Sequence, residues 1–230
     1  MRVKDEFEIA VAGCGPGGLA AALMLHRLGH KVTLFERFVE ARPLGSGLIL
    51  QPTGLAVLAE LALADAALAE GARIERLLGR AAPSGRVVLD VRYSALRVDA
   101  AGLGIHRGAL FHLLFEAVKR ERVAIETGKE ITGSDLAPGG RRLLRLKSGG
   151  GIGPFDLVVD ALGTQSPLAG QSPSPLAYGA LWASLDWRSP FNPHALEQRY
   201  RRARRMVGVL DRAFARGPRR ESRFLLEPSR

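Results

Sequence analysis

Residues 7–36 read FEIAVAGCGPGGLAAALMLHRLGHKVTLFE, and this stretch decides the fold. Phe7–Val11 is a short apolar run that stops at glycines, the pattern of a buried strand. From Gly17 to Leu28, the residues Leu19, Leu23, His26 and Arg27 stand in the i, i+4, i+7, i+8 relation, which predicts a helix closed by Gly29. Lys31–Glu36 is β-branched and apolar, a second strand. Strand, glycine-rich turn, helix and strand form one βαβ unit, so the expected class is α/β with a parallel sheet.

The turn Gly13-Cys14-Gly15-Pro16-Gly17-Gly18 has the spacing G-x-G-x-x-G, placed after a strand and opening a helix. Gly13 permits the tight turn, Gly15 lets backbone approach a pyrophosphate, and Gly18 lets the helix pack close to the strand. The helix N-terminus offers free N–H groups and a positive dipole end to phosphates. Glu36 ends the second strand 18 residues beyond Gly18, near the position expected for a carboxylate that holds a ribose hydroxyl. An acid there suits FAD or NAD better than NADP. The competing reading is a strand-to-helix turn that binds nothing.

Around this unit lie 230 residues, 24.7 kDa, of which 47% are hydrophobic. That apolar fraction excludes a disordered chain, and the length suits one large domain or one and a half. The single cysteine, Cys14, excludes a disulfide framework and a multi-cysteine zinc site. Ile9–Leu25 is uncharged and approaches membrane-spanning length, but the glycines and Pro16 in its middle break the backbone bonding a membrane helix needs. The first ten residues do not resemble a signal peptide, so a soluble, cytoplasmic protein is expected.

The net charge of +10 is unevenly placed. Residues 197–230 hold 11 arginines and 4 acids, whereas residues 1–196 hold 22 bases and 19 acids. Leu196, Tyr200, Ala203 and Val207 fall at helical spacing, which predicts a surface helix with a solvated arginine side. Apart from Tyr200 no stacking aromatic accompanies those arginines, and nucleic acid is not expected as a partner. From Asp211 the chain reads as a basic, poorly ordered tail.

Between these ends, Arg42–Pro52 reads as a Gly/Pro loop, Thr53–Leu61 and Ala64–Glu70 as helices, and Ile74–Leu78, Arg86–Tyr93 and Ala95–Val98 as strands. Arg107–Arg122 is an amphipathic helix built on Leu110, Leu113, Leu114 and Val118. Val123–Glu126, Glu130–Ser134, Arg142–Leu146 and Tyr178–Trp187 are further strands, and Ser148–Pro154 and Ser166–Pro175 are loops. Phe155–Asp160 is a nearly unbroken apolar run of the kind buried on both faces of a parallel sheet.

Four stretches together resemble the FAD-dependent aromatic hydroxylases, the single-component flavoprotein monooxygenases related to p-hydroxybenzoate hydroxylase. They are the glycine-rich unit closed by Glu36-Arg37, RPLGSGLILQPTGLAVLAEL (42–61), GIHRGALFHLL (104–114) and FDLVVDALGTQSPL (155–168). The third matches the family's Arg-x-x-Leu-x-x-x-Leu pattern through Arg107, Leu110 and Leu114. The resemblance implies a Rossmann-like FAD-binding βαβ domain with an inserted, partial β-sheet substrate layer. It implies an FAD-binding domain over 1–170, discontinuous around a β-rich segment at 74–98. Partial substrate-domain elements then occupy 171–210, and 211–230 is an atypical basic tail. The implied cofactor contacts are Gly13, Gly15, Pro16, Gly17, Gly18, Glu36, Arg37, Arg107 and Gly163. The implied reaction uses NAD(P)H as transient reductant and O2 to hydroxylate a small aromatic substrate, with the flavin and no protein nucleophile carrying the chemistry.

Two departures from the family are visible. Asp160-Ala161-Leu162-Gly163 stands where the family has Gly-Ala-Asp-Gly, so the aspartate position is Leu162. No later Gly-Asp motif occurs in this sequence, which points to an incomplete member, truncated or frame-shifted near Asp211. A non-catalytic FAD-binding fragment, and an FAD reductase or halogenase on the same scaffold, therefore stay open.

The remaining candidates read as structural. His26 and His30 are four apart but lack a third ligand. His106 reads as a loop histidine, and Ser46 lies in Gly45-Ser46-Gly47, which is not a nucleophile elbow. Gly128-Lys129-Glu130 lacks the rest of a P-loop. Cys14 stands at a helix N-terminus, where a thiol can acidify, but its place in the turn points to a small-residue role.

Overall fold

The computed structural model describes residues 6–42, 47–170, 179, 181–186, 190–202, 204–212 and 221–226, with backbone alone for 182–186, 212 and 221–226. The chain divides into two compact units, residues 1–44 with 111–174 and residues 45–110 with 175–230.

The first unit holds the βαβ motif. Strands β1 (Glu8–Ala12) and β2 (Lys31–Phe35) flank helix α1 (Pro16–Arg27) and pair in parallel, Val11 beside Leu34 and Ala12 beside Phe35. Alternation along each strand sorts the side chains: Ile9, Val11, Val32 and Leu34 face one way, and Ala10, Ala12 and Phe35 the other. All seven are buried, as are Leu19 and Leu23 of α1. The small Ala10 and Ala12 let a second layer approach. That layer is an antiparallel sheet whose Ile131 and Leu144 complete one apolar cluster with Ala10, Ala12 and Phe35. The Phe35 and Phe155 rings meet edge-on at 5.7 Å.

The second unit contributes β3 (Gly47–Leu50), α2 (Pro52–Glu60), α3 (Ala64–Ala69), β4 (Gly71–Ile74), β5 (Arg76–Ala81), β6 (Val87–Arg92) and β7 (Gly102–His106). Helix α4 (Arg107–Arg120) crosses the boundary between the units. The first unit then adds β8 (Ala124–Glu126), β9 (Ile131–Leu136), β10 (Arg142–Leu146), β11 (Gly151–Phe155) and β12 (Leu157–Asp160). The parallel sheet runs β12-β1-β2-β8 and the antiparallel layer β11-β10-β9. Arg27 at the end of α1 grips Glu121 just past α4 through two hydrogen bonds of 3.1 and 2.6 Å. The N-terminal edge is tied by Glu8, which pairs with Lys31 and Arg141, while Arg141 also reaches Asp156. Those two cations hold the Glu8 carboxyl below its ordinary 4.5.

The second unit closes with β13 (Leu181–Asp186), β14 (Ala195–Arg201), β15 (Arg205–Arg212) and β16 (Glu221–Leu226). Its six-stranded sheet has the order β13-β16-β15-β14-β5-β6, and a smaller sheet the order β3-β7-β4. Ile74, Tyr93 and Ala100 form its buried cluster, with Leu77 and Leu210 packed against them.

In five segments the structure departs from the sequence expectation. The arginine-rich helix at 196–207 is the β14–β15 hairpin, because Leu196 and Tyr200 share a face at period two as well as in a helix. The turn between them carries Arg202 in the left-handed region. The tail from 211 is not wholly irregular, since β16 pairs with both β13 and β15. Ser148–Pro154 contains most of β11, which its glycines disguise and its ladder to β10 holds. Arg42–Pro52 contains β3, paired with β7. Ala95–Val98 is no strand: a single 3₁₀ turn at Tyr93–Ala95 ends β6 there. Ser46, residues 171–175, and Tyr178 and Trp187 lie outside the described residues.

Among the described residues no helix is long and apolar enough to cross a membrane. Nor does any group of three or more His, Cys, Asp and Glu there form a metal site.

Candidate FAD-binding site

The glycine-rich turn is built by close backbone contact. Gly13 adopts φ +106°, and a Cβ there would lie 2.5 Å from the Ala161 carbonyl oxygen. A Cβ on Gly18 would lie 2.0 Å from the Gly13 carbonyl oxygen and 3.1 Å from the Ala161 Cβ. These two glycines therefore bring the turn, the first turn of α1 and the exit of β12 together. Gly15 and Gly17 differ: a Cβ on either would meet nothing within 4 Å. Gly15 is the N-cap of α1 with no side-chain cap bond, Pro16 has no N–H, and the Gly17 and Gly18 amides point out of the first helical turn. The result is an open cradle rimmed by unspent donors, which fits a pyrophosphate.

Glu36 stands beside the cradle. One carboxylate oxygen accepts the Cys14 N–H at 3.1 Å and the other accepts the Phe38 N–H at 3.1 Å. Its own backbone is bonded on both sides, N–H to the Glu126 carbonyl and C=O from the Lys129 N–H. The carboxylate is thus held rigidly, with a second lone pair on each oxygen left for a ribose hydroxyl. Replacing it, Glu36→Gln, keeps the size but turns an NH2 toward one of two backbone donors. This costs about 1–3 kcal/mol of stability, checked by urea unfolding without cofactor, and weakens FAD binding as well.

Burial and the neighbouring Glu36 carboxylate push the Cys14 thiol from its ordinary 9.0 up to about 12. Desolvation outweighs the helix dipole here, so the thiol is not acidified. Cys14 is expected to resist alkylation in the native protein and to react only on unfolding, as mass spectrometry after iodoacetamide treatment would show. The raised value has a stability consequence: its contribution is fully present below pH 9.0 and is lost as pH rises toward about 12.

Arg37 is exposed and lies with Arg42 over the Phe38 ring, each guanidinium 4.7 Å from its centroid. Past β12, Gly163 is exposed at φ +85° with open space around it. Leu162 packs its side chain against the Phe35–Leu144 cluster. Asp160 accepts the Leu162 N–H at 3.1 Å and the Ser166 hydroxyl at 2.6 Å, so these two polar side chains are spent on the loop's own folding. Arg107 opens α4 and is exposed, without a partner among the described residues. His106 caps that helix, its Nδ1 accepting the Gly108 N–H at 3.0 Å. His30 meets the Phe7 ring edge-on at 5.4 Å.

The structure thus brings Gly13, Gly15, Pro16, Gly17, Gly18 and Glu36 into one cradle, with the loop before Gly163 against it. Arg107 belongs to the second unit. Ala161, which sets the floor under Gly18, had no signal in the sequence beyond its small size. A cleft of about 320 Å³ lined by Glu8, Lys31, Thr33 and Phe35 includes no residue of the turn and has no part in this site.

The family model of the FAD binding domain matches residues 6–135, more than half of the chain. The chain belongs to this family. Among curated proteins, it is 38% identical over 133 residues to the phenazine 1,6-dicarboxylic acid hydroxylase PhzS of Lysobacter antibioticus, covering 55% of this chain and 31% of that one. It is 32% identical over 168 residues to the 3-amino-4-hydroxybenzoate 2-monooxygenase of Streptomyces cremeus, covering 71% and 41%. The solved tetrameric form of 2-methyl-3-hydroxypyridine-5-carboxylic acid oxygenase shares the fold, with a TM-score of 0.75, 20% identity, and coverage of 98% of this chain and 60% of that one. The chain therefore spans about two fifths or less of these curated relatives' length. The Rossmann-like α/β architecture is that of FAD-dependent monooxygenases, and FAD is the cofactor of this domain family.

Proposed function

We propose that this chain is the FAD-binding part of a cytoplasmic, single-component monooxygenase that uses NAD(P)H and O2 to hydroxylate a small aromatic substrate. The observation that carries the reading is the open cradle at Gly15 and Gly17 beside an immobilised Glu36. Support also comes from the relatives, whose names describe hydroxylation of a phenazine dicarboxylic acid and of an aminohydroxybenzoate. When bound and reduced, FAD activates O2 so that one oxygen atom is transferred to an electron-rich ring.

The chain's own residues bind and orient. The amides of Gly17 and Gly18 at the start of α1 receive the pyrophosphate, and Gly13 and Gly15 keep side chains out of its way. Glu36 receives the ribose hydroxyls, Arg37 flanks them, and Arg107 and the backbone at Gly163 contact the cofactor elsewhere. A second reading, an FAD-binding fragment without turnover, is favoured by one observation: Leu162 gives the position of the family's aspartate to the apolar cluster.

Purified protein separates these readings. Flavin absorbance together with NAD(P)H oxidation stimulated by hydroxylated aromatic acids supports the monooxygenase. Bound flavin without NAD(P)H oxidation leaves the fragment, and colourless protein that takes up no FAD ends both.

A further inference from the structure

The chain's positive charge is concentrated in its second unit. That unit holds 19 basic residues, all arginine, against 11 acids, while all five lysines lie in the first. Arginine is the side chain that forks onto phosphate and carboxylate groups.

Strand pairing gathers these arginines. β5 and β14 run parallel, with Arg80 beside Arg199 and Ala81 beside Tyr200. The Ala82 N–H donates to the Tyr200 carbonyl at 2.7 Å, so the β5–β6 and β14–β15 hairpin tips emerge side by side. Residues 79–88 and 198–207 hold seven arginines and no acid. Arg86 stands on one tip, and Arg201, Arg202, Arg204 and Arg205 on the other, all exposed. Arg201 and Arg205 lie directly opposite in the ladder, where like charges repel. Among the described residues none of these five has an acidic partner. Asp90 is taken by Arg76 at 2.7 Å, and Glu197 accepts the Asn192 N–H.

Beside the arginines, Val87 and Val88 at the start of edge strand β6 are 43% and 49% exposed. Guanidinium groups rimmed by exposed aliphatic side chains suit an anionic bilayer surface, which attracts the cations and takes up the aliphatic groups at its headgroup boundary. A single-stranded nucleic acid needs free aromatic platforms. The one aromatic here, Tyr200, hydrogen-bonds Gln198 and lies against Gly79.

We propose that the paired β5–β6 and β14–β15 tips dock this protein peripherally onto an anionic lipid surface. The test is co-sedimentation of the full chain with mixed phosphatidylglycerol–phosphatidylcholine vesicles and with pure phosphatidylcholine vesicles. Binding is expected to the mixed vesicles only, and to be released as ionic strength rises from about 0.1 to about 1 M, where screening shortens from about 10 to about 3 Å. The double variant Arg201→Glu/Arg204→Glu is expected to lose roughly 25-fold in partitioning. Arg92→Glu/Arg97→Glu makes the same change in net charge within the second unit, at and just beyond the end of β6 opposite its tip, and is expected to lose less than about threefold. Circular dichroism checks that both variants fold. Equal losses in the two variants, no binding to mixed vesicles, or tighter binding to a single-stranded oligonucleotide at the same salt would each overturn the proposal.

Discussion

Gly18→Ala is expected to destabilise the protein by more than about 3 kcal/mol, although a helix position normally gains about 1 kcal/mol from that change. The sign is reversed by position. The added Cβ would sit 2.0 Å from the Gly13 carbonyl oxygen and 3.1 Å from the Ala161 Cβ. Neither neighbour is the free end of a flexible side chain, so the turn, α1 or the exit of β12 must move. Against a total stability of about 5–15 kcal/mol, such a loss is large. For a chain of this size it lowers the melting temperature by roughly 6–12 °C. Gly17→Ala is the internal comparison: its Cβ meets nothing within 4 Å, and the variant keeps or slightly raises the melting temperature. Thermal unfolding of the two proteins without cofactor checks the pair. Equal behaviour would mean that the turn is not packed as described.

Gly15→Val is expected to do the opposite, sparing the fold and removing the ligand. Gly15 has φ −69° and ψ 169°, a conformation open to any residue, and its Cβ direction leads into free space. The cost to folding is at most about 1 kcal/mol, from the weaker N-cap preference of valine. The new side chain fills the space where a pyrophosphate must approach the Gly17 and Gly18 amides. FAD affinity should fall at least about 100-fold, some 2.7 kcal/mol, measured by flavin fluorescence titration. Loss of binding without loss of stability separates a ligand cradle from a turn that is glycine-rich for packing alone.

How legible these features are in the sequence depends on the range of the interactions that make them. The βαβ unit is local: its turn glycines, the apolar face of α1 and the acid ending β2 fall within 30 residues, and spacing alone reveals them. β11 and β3 hide in glycine-rich segments because their ladders, not their composition, hold them extended. The β14–β15 hairpin reads as a helix because a four-residue repeat satisfies both periods, and the left-handed turn at Arg202 carries no glycine to mark it. The pairing of Ala195 with Arg76 joins residues 119 positions apart in the chain and leaves no local trace. The same holds within the site. Gly18 is recognisable from spacing, but the Ala161 that makes it obligatory comes from a distant strand. The Glu36 position is recognisable, but not the backbone amides of Cys14 and Phe38 that fix its carboxylate.

The most direct measurement of the central claim is a titration of FAD into the purified, cofactor-free chain, followed by quenching of flavin fluorescence. Saturation at one FAD per chain, weakened by both Glu36→Gln and Gly15→Val, is the predicted result. A flat titration by a folded wild-type protein would contradict it.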